Sequence, residues 1–122
     1  MTNDQTTTVA ELKAAISEFA ADRDWQQYHD PKNLVMALTS EVGVLADLFR
    51  WISNGQSLAA ANDPSNAKEV AHELADVLMF ALEFASVCQI DIASAIAEKL
   101  EINAQRYPVS KAKGSHLKYD RL

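Results

Sequence analysis

Apolar residues recur at spacings of three and four along nearly the whole 122-residue chain. That period predicts packed helices. The first stripe is Val9, Leu12, Ile16, Phe19 and Ala20, with Thr8 as N-cap and Glu11 as its capping-box partner. The period breaks over Asp22 to His29, which reads as a loop. Asp30-Pro31 then opens a second helix, Asp as N-cap and Pro at the first helical position. Its stripe is Leu34, Leu38, Leu45, Leu48 and Ile52, and Ser53-Asn54-Gly55 ends it, Asn54 or Gly55 taking a left-handed position. Residues 56–62 read as a connecting loop. Asp63-Pro64-Ser65 repeats the start signal, and a third helix runs to about Gln89 with Val70, Leu74, Val77, Ala81, Phe84 and Cys88 on one side. Asp91 caps a fourth helix, which stops near Arg106 because Pro108 follows Tyr107. With only 3 Gly and 3 Pro, the chain lacks the punctuation of a turn-rich β fold. The expected class is all-α, built on four helices.

The length fits a single domain over 1–122, with residues 1–7 and about 110–122 as flexible or partner-contacting ends. Apolar content of 48% and charged content of 23% match a soluble globular protein. The lone Cys88 cannot form an intramolecular disulfide. No apolar run reaches roughly 18 residues and no leader pattern opens the chain, so a cytoplasmic location away from membranes is expected. A net charge of -6 argues against nucleic acid and anionic lipid as partners. It leaves room for a phosphorylated ligand that arrives with a metal cation.

The informative residues are polar groups inside apolar stripes. Glu41 occupies the middle of the Leu34–Ile52 stripe. A carboxylate there needs a cation, either a metal or a basic side chain. On the third helix Glu73 and Asp76, three apart, project from one side, with Glu69 four residues before Glu73. On the fourth, Lys99 and Asn103 continue the face set by Ile92 and Ile96. One reading is a buried ion pair of Glu41 or Glu73 with Lys99. The other is a metal site of the kind that bundles build from inward carboxylates, for which oxygen ligands favour Mg²⁺ or Mn²⁺. His72 lies about 100° round the helix from Glu73 and is a poor co-ligand. His29, His116 and Cys88 show no zinc-like spacing.

Trp25, with Tyr28 and His29 nearby, and Trp51 are either packing residues or the walls of a pocket that stacks a planar ring. Gly43, mid-helix, marks either the close approach of another helix or subunit or a tolerated weakness.

Four ordered segments resemble one family. They are Glu18 to Leu34; Glu41-Val42-Gly43 with Leu48-Phe49-Arg50-Trp51; Glu73-Leu74-Ala75-Asp76-Val77-Leu78; and Lys99 with Asn103 and Arg106-Tyr107-Pro108, followed by Lys118-Tyr119. Together they resemble the MazG-like nucleotide pyrophosphohydrolases, the dCTP pyrophosphatase-type branch above all, over roughly residues 9–120. The resemblance implies a four-helix core that assembles as a homodimer or homotetramer. It implies Mg²⁺-dependent cleavage of a nucleoside triphosphate to monophosphate and pyrophosphate, in the housecleaning of nucleotide pools. By position, Glu41, Glu73 and Asp76 would hold the metal, and Glu41, Glu73 and Lys99 would serve the chemistry. The implied substrate contacts are Trp25, His29, Asn33, Trp51, Lys99, Asn103 and Tyr107. Two positions depart from the pattern. The second Glu of the family's E-x-x-E is Val44, and a base-pocket position that can be histidine is Ile16. Asp47, six residues past Glu41, turns too far away to stand in for Val44. The alternative is therefore a nucleotide-binding relative with weak turnover.

Overall fold

The computed structural model describes residues 1–122 and is all-helical, with no strand. Six α-helices follow one another: α1 (Val9–Asp22), α2 (Pro31–Asp47), α3 (Asn54–Asn62), α4 (Ala67–Val87), α5 (Ile92–Arg106) and the single turn α6 (Val109–Ala112). Short 3₁₀ turns occupy Gln26–Tyr28 and Tyr119–Arg121. No single helix is long and apolar enough to cross a membrane. The chain divides into two compact units, Met1–Gln89 and Ile90–Leu122.

In the first unit α4 is the organising helix. The main packing is α2 along α4, α1 also lies on α4, and α3 touches it more lightly. Ala20 of α1, Leu34 of α2 and Ala85 of α4 are buried. They are joined in the interior by one charged residue, Glu83. The stripe of the sequence does face inward in α2, where Leu38, Glu41 and Leu45 are half-buried, as is Leu48 just past its end. On α4, Val70, Val77, Ala81 and Phe84 are half-buried, whereas Leu74 is exposed.

The helix starts largely follow the sequence signals. Thr8 Oγ1 accepts from Glu11 N–H at 3.1 Å, and Glu11 Oε2 accepts from Thr8 N–H at 3.4 Å, completing the capping box. Asp91 accepts from Ser94 N–H at 3.0 Å. Asp30 sits at the N-cap of α2 with Pro31 behind it, but its side chain makes no capping bond.

Three boundaries differ from the sequence reading. α2 ends at Asp47, and Leu48 to Ile52 form a turn closed by bonds such as Phe49 N–H to Ala46 O at 3.0 Å. The stretch read as a loop is the helix α3, with Ser53 at its N-cap position. Gly55 lies inside its first turn, where backbone N–H groups lack intrahelical partners anyway, so glycine there interrupts little. Asp63-Pro64-Ser65 is not the start of α4. Asp63 accepts from the Ser65 amide and hydroxyl, and the helix begins after Asn66. A Cβ added at Gly43 would meet nothing within 4 Å, so no other helix of this chain approaches it closely.

The second unit carries α5, α6 and the last 3₁₀ turn, so regular turns continue past residue 110. Tyr107 and Tyr119 meet edge to face at 5.9 Å, with the Arg106 guanidinium 4.9 Å from the Tyr119 ring centre.

Candidate functional site

Glu41 reaches the site from α2, and Glu73 and Asp76 from α4. One carboxylate oxygen from each lies within 4.8 Å of those of the other two, and all three residues are half-buried. The pairing of α2 with α4 sets this meeting, and the i+3 step from Glu73 to Asp76 keeps both on the side that faces α2. Glu73 Oε2 is buried and has no hydrogen-bond partner. The Glu73 carboxyl is held above the ordinary glutamate value of 4.5. Loss of water is the first cause, then the Glu41 carboxylate within hydrogen-bonding reach, then the negative charges of Glu41, Asp76 and Glu69. Arg50 is paired with Asp47 in this unit and His29 faces Glu83, neither contact involving Glu41 or Glu73.

Three acid groups crowded together, one with an orphaned buried oxygen, form a set that repels itself until a cation arrives. The donor set is all oxygen, which suits a hard divalent ion that needs only one or two carboxylates besides substrate and water. The residues therefore fit Mg²⁺ or Mn²⁺.

This crowding has a pH signature. Glu73 binds its proton more tightly in the folded chain than in the unfolded one. Its contribution is then most favourable below about pH 4.5 and is lost as pH rises through the elevated value. Without divalent cations, Glu73→Gln should melt a few degrees above wild type near neutrality and converge with it toward acid. Thermal melts in chelator between acid and neutral pH read this directly, and parallel curves would remove the repulsion from the account.

Other expected site residues fall on the segment between α1 and α2. The α1 C-terminus closes with Asp24 in the left-handed region at φ 54. Asp24 N–H bonds Ala21 O at 3.0 Å and Trp25 N–H bonds Ala20 O at 2.9 Å, a Schellman arrangement without glycine. It sends Trp25 back against Phe19, edge to face at 5.8 Å. Asn33 Nδ2 donates to Tyr28 O at 3.1 Å, so this amide secures the loop. His29 has its Nδ1 buried 3.7 Å from Glu83 Oε2. Trp51 is 84% exposed, with Arg50 stacked over it at 4.8 Å. Arg50 also holds Asp47 at 3.0 Å, which leaves Asp47 outside the carboxylate cluster. Val44, three residues past Glu41, is exposed. In the second unit Lys99 is exposed and Asn103, one turn on, is half-buried.

Glu83 and Ser17 were not legible as functional candidates. Glu83 lies far round α4 from its apolar stripe, and nothing local in the sequence shows that it is buried against Ser17 and His29.

Carboxylates converging from two packed helices on one cation-sized gap define a candidate for metal-assisted chemistry on phosphates. Comparison with known proteins gives that class a family. The MazG-like family model matches residues 42–122. The chain is 41% identical over 115 residues to dCTP pyrophosphatase 1 of Rattus norvegicus and 39% identical to that of Homo sapiens, covering 94% of this chain and 68% of each relative. The crystal structure of a pyrophosphatase from Archaeoglobus fulgidus superposes with a TM-score of 0.77 at 31% identity, covering 88% of this chain and 99% of that one. The chain belongs to the MazG-like family.

Proposed function

We infer that this chain is a nucleoside triphosphate pyrophosphohydrolase that uses a divalent cation, Mg²⁺ first, to cleave dCTP or a close relative into monophosphate and pyrophosphate. The observation that carries the reading is the cluster of Glu41, Glu73 and Asp76 with its unpartnered buried oxygen. The similarity to dCTP pyrophosphatases over most of the chain supports the substrate class.

Glu41, Glu73 and Asp76 would hold the ion. When bound, Mg²⁺ screens the triphosphate charge and makes an attacking water more acidic. The two glutamates face each other, and one of them accepts the proton that water gives up as its oxygen bonds to the α-phosphorus. The bond from the α-phosphorus to the bridging oxygen breaks, and pyrophosphate leaves with the electron pair. Lys99 and Asn103, one turn apart on α5, are assigned to the phosphates by their chemistry and by the family resemblance. Trp25, His29, Asn33, Trp51 and Tyr107 are assigned in the same way to the nucleoside, Asn33 by fixing the loop that carries His29.

An oligomer belongs to this proposal. Val35, Met36 and Val42 of α2 and Leu78 and Met79 of α4 are exposed, and Leu34 is the only large apolar side chain fully buried. Apolar exposure on that scale marks surfaces that another chain covers. A homodimer or homotetramer fits it.

The test is incubation with dCTP and Mg²⁺ followed by assay for pyrophosphate. We expect equal amounts of dCMP and pyrophosphate, and none with chelator present. A folded sample that binds dCTP with Mg²⁺ but releases nothing would move the chain to the nucleotide-binding alternative. Failure to bind any nucleoside triphosphate would overturn both readings.

A further inference from the structure

Glu83 is 4% exposed, the one charged residue in the interior of the first unit. Ser17 Oγ of α1 donates to its Oε1 at 3.2 Å. Its other oxygen, Oε2, is buried without a hydrogen-bond partner and lies 3.7 Å from His29 Nδ1, which is likewise buried and unpartnered. Each of these atoms has the other as its facing polar group. An apolar side chain would fill the Glu83 position without the cost of burying a carboxylate, so the charge points to a task.

We propose that Glu83 is a positioning residue that fixes the tautomer of His29 and thereby selects the base the imidazole reads. The proposal rests on the assignment of His29 to the nucleoside. Two lone pairs facing each other would repel, so one proton belongs between them, and the imidazole nitrogen, the more basic of the two atoms, carries it and donates toward Oε2. Ser17, by occupying Oε1, turns Oε2 to His29. The His29 side chain keeps 17% exposure, and its Nδ1 is buried. In the neutral ring Nε2 is then an acceptor. An acceptor complements the exocyclic amine of an aminopyrimidine such as cytosine and opposes the keto oxygen that uracil carries at the same place. Discrimination of this type follows when a site built to bond a donor meets an analogue that lacks it.

Two measurements on the full chain test this. Long-range ¹H–¹⁵N correlation of the His29 ring should show Nδ1 protonated in the wild type and in Glu83→Gln, whose amide oxygen still accepts. In Glu83→Ala the proton should shift to Nε2. Glu83→Met, which refills the volume, serves if alanine weakens the fold. In kinetics with Mg²⁺, the alanine or methionine variant should raise KM for dCTP about tenfold, leave KM for dUTP within twofold and change kcat less than threefold. A wild-type ring with bare Nδ1 overturns the proposal. So does a shifted tautomer with an unchanged KM ratio for dUTP over dCTP. Wild-type protein inactive on both nucleotides is a failure of the proposed activity instead. The ratio is then read from calorimetric affinities, and equal losses for dCTP and dUTP overturn the tautomer assignment.

Discussion

Glu73→Gln should cut Mg²⁺-dependent release of pyrophosphate from dCTP by about 10²–10³-fold, the scale on which one preorganised electrostatic partner of a transition state is worth having. The substitution keeps the volume and one oxygen while removing the charge. Glu73 is the right place to look because its carboxylate belongs to the cluster with Glu41 and Asp76 and one of its oxygens is buried without a partner. The same change relieves like-charge crowding in the metal-free chain. Activity and metal-free stability should therefore move in opposite directions, a pairing that general damage to the fold would not produce. Steady-state kinetics over a Mg²⁺ series, with melts in chelator, measure both. A variant that keeps more than a tenth of wild-type kcat at saturating Mg²⁺ would take Glu73 out of the chemistry.

Val44→Glu is the second large effect, and its sign is a gain. Position 44 is one helical turn from Glu41, on the same side of α2, and it is exposed, so a glutamate costs no core packing. The fourth carboxylate should lower the Mg²⁺ concentration for half-maximal rate roughly tenfold, worth about 1.4 kcal/mol. It should also lower the melting temperature in chelator, because another negative charge joins the cluster. At saturating Mg²⁺ the rate should change much less, since three carboxylates already satisfy what one ion requires of protein. An equally large rise in saturated kcat would instead show that the native chain lacks a ligand for turnover and belongs with the nucleotide-binding relatives. Unchanged Mg²⁺ dependence would mean that position 44 does not reach the ion.

The meeting of the three carboxylates was legible because it violates a pattern. Glu41 interrupts a stripe, and Glu73 and Asp76 repeat at the spacing of one helix side, so the period that predicts α2 and α4 also marks its exceptions. Caps were equally local, and Thr8 and Asp91 carry them as expected. The helix α3 was not legible. Ser53-Asn54-Gly55 is a good stop and an acceptable start, and the choice depends on Ala59–Ala61 favouring helix once α4 offers a surface. The Ser17–Glu83–His29 contact was invisible for a different reason. It joins α1, α4 and the segment before α2, and a period read along one helix has no knowledge of which neighbours tertiary packing brings to it.

The carboxylate cluster takes one member from α2 and two from α4. A cation held by all three is a reversible cross-link between the two helices whose packing dominates the first unit. A fluctuation that parts α2 from α4 breaks that cross-link, so the opening is penalised by an amount that grows with the free ion concentration relative to its Kd. Amide hydrogens along the facing turns should then exchange with solvent at a rate set by the free concentration of the ion.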